Sequence, residues 1–181
     1  MPAARPNPLP TGESKVVRLP GPFESFYLQE YRRVVKLAYA LSGSRTAAED
    51  IAQEAFLAAY RDWDRVGGYE QRAAWVRQVA ANLAMSSLRR RLAEVRALAR
   101  LAGRRELRVD AMPADTADFW RTVRALPKRQ AQAVALHYLE DLSVQQIAEV
   151  LDCAEGTVKA HLAKGRRTLA RRLRPDTEGR P

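Results

Sequence analysis

An all-α chain of two small helical domains is the fold class this sequence predicts, and three observations carry it. Apolar residues return at helical spacing from Phe23 to about Leu101 and again from Thr116 to Arg174, with no alternating strand pattern and no internal repeat. Prolines crowd the start, at Pro2, Pro6, Pro8, Pro10, Pro20 and Pro22, and none follows until Pro113, which leaves a long stretch free to stay helical. From Gly103 to Asp115 the periodicity fades, and Met112, Pro113 and Ala114 interrupt the chain. The expected organisation is a flexible tail over 1–22, a helical domain over 23–102, a flexible linker over 103–115, a second helical domain over 116–174 and a short tail over 175–181. Residues 1–22 hold too few large apolar groups to offset the entropy of ordering them.

In the first domain the helical pattern breaks near Gly43 and again at Gly67 and Gly68. Between those breaks, TAAEDIAQEAFLAAYRDW predicts a helix that starts on a capping box of Thr46 and Glu49. Ala48, Ile51, Ala52, Ala55 and Ala59 make a narrow apolar stripe, which leaves Glu49, Asp50, Gln53 and Glu54 as an acidic, solvent-facing surface. Those acids either complement the helix dipole or form a docking face for a basic partner protein; DNA is repelled. Further on, Tyr69, Trp75 and Asn82 lie among Arg65, Arg72, Arg77, Arg89, Arg90 and Arg91, in a loop followed by a helix. Aromatics interleaved with arginines suit single-stranded nucleic acid, in which each stacked base contributes roughly 1–3 kcal/mol. Trp75, spaced with Val79 and Leu83, is expected in the core even if the loop beside it binds DNA.

In the second domain Pro127 marks the first residue of a helix that contains His137 and Tyr138 and should be mostly core. Residues 143–174, SVQQIAEVLDCAEGTVKAHLAKGRRTLARRLR, then predict a helix, a tight turn and a second helix. Ser143 and Gln146 form a capping box, and Ile147, Val150 and Leu151 give the short helix a buried side. Asp152, Cys153 and Ala154 make the turn. In the second helix Val158, Leu162, Gly165, Leu169 and Leu173 share one face, while Ala160, Ala163, Lys164, Arg167 and Arg171 project from the other. No acid interrupts Gly156 to Arg174, so this helix suits a DNA major groove, with small or basic residues at the bases and arginines at the phosphates. Gly165 costs about 1 kcal/mol relative to alanine inside a helix, which points to close packing against the preceding helix. Cys153 is expected as a small, partly buried apolar residue rather than a redox group, and His161 as a flank or phosphate contact.

Composition agrees with a nucleic-acid partner. The 181 residues carry a formal net charge of +10, which favours a polyanion, although basic balance alone is shared with many other classes. One cysteine excludes an intramolecular disulfide, and two histidines with that cysteine offer no zinc spacing, so neither metal nor cofactor is expected. No apolar run approaches the roughly 20 residues of a membrane span and no signal-peptide h-region opens the chain, which implies a cytoplasmic protein.

Taken together, AEDIAQEAFLAAYRDW at 48–63, WVRQVAANLAMSSLRRR at 75–91 and LPKRQAQAVALHYLEDLSVQQIAEVLDCAEGTVKAHLAKGRRTL at 126–169 resemble the extracytoplasmic-function sigma factors of bacterial RNA polymerase, in an actinobacterial-like form. These are group 4 members of the sigma-70 family that keep only the second and fourth sigma domains. The resemblance implies a sigma domain 2-like bundle followed by a sigma domain 4-like helix-turn-helix, and it implies a partner for each surface. Asp50, Gln53, Glu54 and Phe56 would bind a coiled coil of the largest core-polymerase subunit. The loop from Val66 to Arg72, with Tyr69 and Arg72, would capture a base flipped from the non-template strand of the minus-10 element, and Asn82 with Arg89, Arg90 and Arg91 would lie along that strand. Thr157, Lys159, Ala160, Ala163 and Lys164 would sit nearest the bases of the minus-35 duplex, with Arg166, Arg167 and Arg171 nearer its phosphates. The linker would thread toward the RNA exit path. Such a chain has no catalytic residue, is a monomer when free of partners, and commonly meets an anti-sigma factor.

Two other classes stay open at this stage. A polymerase-independent helix-turn-helix regulator would bind a duplex by itself, often as a dimer, yet only one recognition helix and no dimerisation heptad are visible. A nucleic-acid enzyme would need a nucleophile or a carboxylate cluster, for which Asp62 and Asp64 are the nearest candidates. Ala160 and Ala163 offer no hydrogen bonds, which leaves Lys159 and Lys164 as the main polar readers.

Overall fold

Two glycine-marked breaks and one capping box divide the chain into helices much as the apolar periodicity predicts. The structure, a computed structural model, describes residues 21–102 and 114–173. The helices are α1 (Gly21–Ser42), α2 (Arg45–Arg61), α3 (Trp63–Val66), α4 (Arg72–Ala102), α5 (Ala114–Arg124), α6 (Lys128–Glu140), α7 (Val144–Leu151) and α8 (Glu155–Arg172), with no strand among the described residues. The expected tails over 1–20 and 175–181, and the expected linker over 103–113, lie outside the described residues. Gly21 and Pro22 open α1 and Ala114 and Asp115 open α5, so these four are helical rather than tail or linker. A proline is tolerated in the first turn because its missing N–H has no intrahelical partner there.

The start of α2 corrects the expected cap. Gly43 takes a left-handed φ of 70°, which ends α1 and throws Ser44 into extended backbone (φ −139°, ψ 126°). The Ser44 hydroxyl accepts the Ala47 N–H at 3.4 Å, so Ser44, and not Thr46, is the N-cap. In the same way Pro127 is the N-cap of α6 rather than its first residue, because its ψ of 144° is not helical. At α7 the capping box is as expected: Ser143 Oγ accepts from Gln146 N–H, and Gln146 Oε1 accepts from Ser143 N–H. Asp152 closes α7 in the left-handed region (φ 50°), and this sharp reversal aims α8.

The first three long helices, α1, α2 and α4, pack pairwise into a bundle. Phe23, Phe26 and Phe56 are buried at one end of it, where Phe23 meets Trp63 edge-on at 4.9 Å and Tyr60 at 5.2 Å. Each such pair adds roughly 0.5–1.5 kcal/mol beyond its area. In the second half α8 lies across α6 and α7, burying Val158, Leu162, Gly165 and Leu169; Leu173, expected on that stripe, is 36% exposed. Gly165 does mark a close approach, but its neighbours are Val134, Leu126 and Gln130 around α6 rather than α7.

The two halves pack directly against one another, with α5 and α6 on α1 and α7 on α4, so that their buried side chains join one core. The seam is unusually polar. Arg77 on α4 donates from Nη2 to Glu30 on α1 at 2.6 Å and from Nε to Glu140 on α6 at 3.3 Å, all three side chains being buried or nearly so. Gln132 Nε2 donates to Asn82 Oδ1 at 3.1 Å, and Arg124 Nη1 donates to the Ala40 carbonyl at 3.1 Å.

Burial raises the Glu140 carboxyl above its ordinary value, and Arg77 offsets this only in part. A carboxyl raised in the folded state favours the proton there, so the fold loses stability as pH rises through that raised value. Glu140→Gln removes the titration and keeps an acceptor for Arg77. The expected result is that the variant gains on the native chain as pH rises from acidic to neutral, read as the difference between their denaturation midpoints across that range.

Candidate functional site

Three surfaces gather the residues singled out in the sequence. The first is the outer face of α2. Asp50, Gln53 and Glu54 are exposed there, clear of the stripe that buries Ala48, Ile51, Ala52, Ala55 and Ala59. Phe56 is only 2% exposed, packed against Phe26 and Tyr27, and it lines the groove beneath those three residues. The exposed apolar group is its neighbour Leu57, at 46%, which the sequence reading passed over although it stands three residues after Glu54 and four after Gln53, on the acidic face. Together these residues edge a cleft of about 590 Å³ between α1 and α2, with Phe23, Tyr27, Phe56 and Tyr60 in its lining. An apolar groove under a carboxylate rim fits a helix or hairpin that offers both apolar and basic side chains.

The second surface runs from the end of α3 along α4. Gly67 is required in the turn, since a Cβ there would stand 2.7 Å from the Trp63 carbonyl oxygen. Beyond it Tyr69 is 37% exposed, and Arg72 holds its guanidinium 5.7 Å from the Phe26 ring centre. Arg65 is paired with Asp62, Nε to Oδ2 at 2.7 Å. Trp75 is half-buried against the core, as expected. Arg89 and Arg90 are exposed, whereas Arg91 is half-buried and donates to the Ser42 carbonyl at 3.2 Å. Asn82 is half-buried with its side-chain oxygen held by Gln132, and Arg77 is buried in the seam. The exposed part of this surface is thus Tyr69, Arg72, Arg89 and Arg90.

The third surface is the outer face of α8. Thr157, Lys159, Ala160, Ala163, Lys164, Arg167 and Arg171 are all exposed on it. Lys159 pairs loosely with Glu155, at 3.8 Å, the sole acid of α8. Arg166 turns back toward α6: its Nε donates to Tyr138 Oη at 3.0 Å, its Nη2 reaches His137 Nε2 at 2.8 Å, and it lies 5.6 Å from the Tyr138 ring centre. Tyr138 is 48% exposed on a helix that otherwise buries Ala131 to Leu136 as expected. Both His137 contacts are satisfied by one neutral tautomer, in which Nδ1–H donates to the Leu142 carbonyl at 3.2 Å and Nε2 accepts from Arg166. His161 is half-buried, and burial, then Lys164 and Arg129, lower its imidazole below the ordinary value, which favours its neutral form. Beside this face a basic cleft of about 510 Å³ brings Lys164, Arg167, Arg171 and Arg172 opposite Pro127 and Gln130. Among the described residues no group of three or more His, Cys, Asp and Glu is placed to hold a metal, and no helix is long and apolar enough to cross a membrane.

An acidic groove, an arginine-flanked loop and helix, and the basic outer face of α8 therefore stand on one chain. The same division appears in known proteins. Residues 26–94 match the sigma-70 region 2 family and residues 116–169 the sigma-70 region 4 family. The chain is 30% identical over 155 residues to the ECF RNA polymerase sigma factor SigM of Mycobacterium tuberculosis, spanning 83% of this chain and 76% of that one. It is 28% identical over 156 residues to the ECF RNA polymerase sigma factor SigW of Bacillus subtilis, spanning 78% and 83%. Among solved structures it superposes with a TM-score of 0.67 on the sigma factor RpoE from Bartonella quintana, in complex with the anti-sigma factor NepR, at 26% identity over 85% of this chain and 98% of that one. The fold also matches CnrH, solved with the cytosolic domain of CnrY, with a TM-score of 0.63. With regions 2 and 4 in order and nothing between them but a short connection, this chain belongs to the ECF RNA polymerase sigma factors of the sigma-70 family.

Proposed function

We propose that the three surfaces divide the work of promoter recognition, with the α2 groove docking the polymerase core, the α3–α4 loop and the outer side of α4 taking the minus-10 non-template strand, and α8 reading the minus-35 duplex. The observation that carries this reading is the opposite charge of the two ends: Asp50, Gln53 and Glu54 line an exposed groove on a chain of net charge +10, while α8 shows solvent a single acid. DNA approaches α8 and α4 and is repelled from α2, where a basic coiled coil of the largest polymerase subunit fits. Lys159 and Lys164 serve as the polar readers, Ala160 and Ala163 allow close approach to thymine methyls, and Arg167 and Arg171 bind phosphates. Arg166 supports this face from behind through Tyr138 and His137.

The chemistry of nucleotide addition belongs to the core enzyme, and the chain contributes recognition and strand capture rather than a catalytic group. Unpairing DNA costs a few kcal/mol, which a flipped base held at the Tyr69 loop offsets. Two modest readers at fixed spacing on the polymerase gain discrimination through effective concentration. The protein would act in the cytoplasm, at the nucleoid through polymerase, with an anti-sigma factor as a further partner. Reconstitution with purified bacterial core polymerase tests the reading. Co-elution with core and initiation from a subset of promoters is the expected result; tight duplex binding without core, and no association with core, would overturn it in favour of a free-standing regulator.

A further inference from the structure

The C-terminal half of α8 gathers positive charge around a concave space. Lys164, Arg167 and Arg171 stand three and four residues apart, with Arg172 next in the chain, so all four share one side of the helix. Like charges at that spacing repel one another and destabilise a helix, and none of the four is in an ion pair among the described residues. Across from them stands the turn between α5 and α6. Gly165 lets α8 come close to it: a Cβ there would stand 3.7 Å from Leu126 Cδ1 and 3.9 Å from Gln130 Cβ. The cations therefore form one wall of a cleft of about 510 Å³, with Leu126 and Pro127 as an apolar wall and the Gln130 amide between. Thr168 also lines it, but its hydroxyl is turned back on the Lys164 carbonyl at 3.2 Å, which leaves the charged groups to meet a ligand. A duplex is too broad to enter such a space, whereas small-molecule sites occupy roughly 300–1,000 Å³. Three of the four cations are arginines, whose planar forks match phosphate oxygens in pairs. One inorganic phosphate would leave the apolar wall unused. A ligand with several phosphates at one end and a flat apolar body at the other uses both walls.

We propose that this cleft binds a nucleoside di- or triphosphate, with the phosphate chain on Lys164, Arg167, Arg171 and Arg172 and the nucleoside against Leu126 and Pro127, and that the bound nucleotide competes with the minus-35 duplex for α8. The site stands on the cleft and its charges; the competition rests on the assignment of Lys164, Arg167 and Arg171 to that duplex. Those three residues serve both ligands, so a nucleotide that neutralises them removes one polar base reader and two phosphate contacts. Arg172 belongs to the cleft alone. Recognition of the minus-35 element would then weaken as nucleotide accumulates.

The test titrates ATP, GTP and inorganic tripolyphosphate into the full chain by calorimetry, without polymerase or magnesium and at about 0.15 M salt. A nucleoside triphosphate should bind one per chain and more tightly than tripolyphosphate, which lacks the body that meets Leu126 and Pro127. Arg172→Glu should weaken that binding by about 10-fold. Arg32→Glu, the same charge change at an exposed position of α1, should leave it unchanged. Affinity for a minus-35 duplex, measured at matched ionic strength, should fall when nucleotide is added to the native chain. With Arg172→Glu the duplex affinity itself should hold, and the fall should shrink. No binding of either triphosphate at about 1 mM, or equal losses in Arg172→Glu and Arg32→Glu, would refute the site while leaving promoter reading intact. Tripolyphosphate binding as tightly as ATP and GTP would overturn the nucleoside part of the proposal. Nucleotide binding that Arg172→Glu weakens, with duplex affinity unmoved by nucleotide, would support the site and overturn the placement of the duplex on Lys164, Arg167 and Arg171.

Discussion

Replacing Asp50 and Glu54 together by lysine is expected to weaken binding to core polymerase by roughly 100-fold or more, about 2.7 kcal/mol, while binding of the same full-length chain to minus-35 duplex stays within about 3-fold of native. The size follows from position. Both carboxylates edge the α1–α2 groove, both are exposed, and neither makes an ion pair among the described residues, so their reversal breaks no internal contact. Each reversal removes an attraction to a basic partner and adds a repulsion of similar size. Glu49 is a poorer target because it already pairs with Arg45 at 3.4 Å. Leu57→Ser supplies the apolar counterpart: it should weaken core binding by roughly 10-fold with little dependence on salt, whereas the charge reversals should lose part of their effect as ionic strength rises. Loss of duplex binding in the double charge variant, or of helix content, would instead make the acidic face a structural element.

The features read correctly from the sequence are those whose physical cause is local. The α7 capping box depends on Ser143 and Gln146 alone, and the buried face of α8 repeats every three to four residues, so both lie within one window of chain. The α2 cap shows where local reading fails. Ser42, Ser44 and Thr46 all stand near the break, and Glu49 three residues on favours Thr46. The left-handed turn at Gly43 decides otherwise, since it makes Ser44 the first extended residue after α1. The burial of Phe56 has a related cause: α2 packs on α1 and α4 together, so its buried face is wider than the alanine stripe and takes in Phe56, which leaves Leu57 outside. Nothing in the sequence could have found the seam. Glu30 and Glu140 lie 47 and 63 residues from Arg77, and a lone arginine among arginines reads as a solvent-facing or DNA-facing charge. Charge sorting between surfaces is legible from composition along the chain, whereas pairing across a seam needs the fold.

Substitution of Gly165 should destabilise the C-terminal half in proportion to the size of the side chain introduced. The glycine sits where α8 crosses α6, and a Cβ there would stand 2.9 Å from Val134 Cγ2, with Leu126 Cδ1 at 3.7 Å and Gln130 Cβ at 3.9 Å. Val134 is wholly buried and β-branched, so it cannot rotate aside within a helix. Alanine would gain about 1 kcal/mol of helix propensity against an overpacking loss of roughly 1–3 kcal/mol. The expected net cost of Gly165→Ala is therefore about 1 kcal/mol. Leucine cannot fit without lifting α8 off α6, and a loss of roughly 3 kcal/mol or more is expected, read from denaturant unfolding of the full chain. The mechanism has its own control. Val134→Ala removes the opposing methyl groups and costs stability alone, but combined with Gly165→Ala it should cost less than the sum of the two, because the new methyl fills the space the valine leaves. Duplex binding should follow the same order, since α8 carries Lys159, Lys164, Arg167 and Arg171 on its far side and their aim depends on how α8 is seated. Strict additivity in that cycle would mean that Gly165 is set by something other than its contact with Val134.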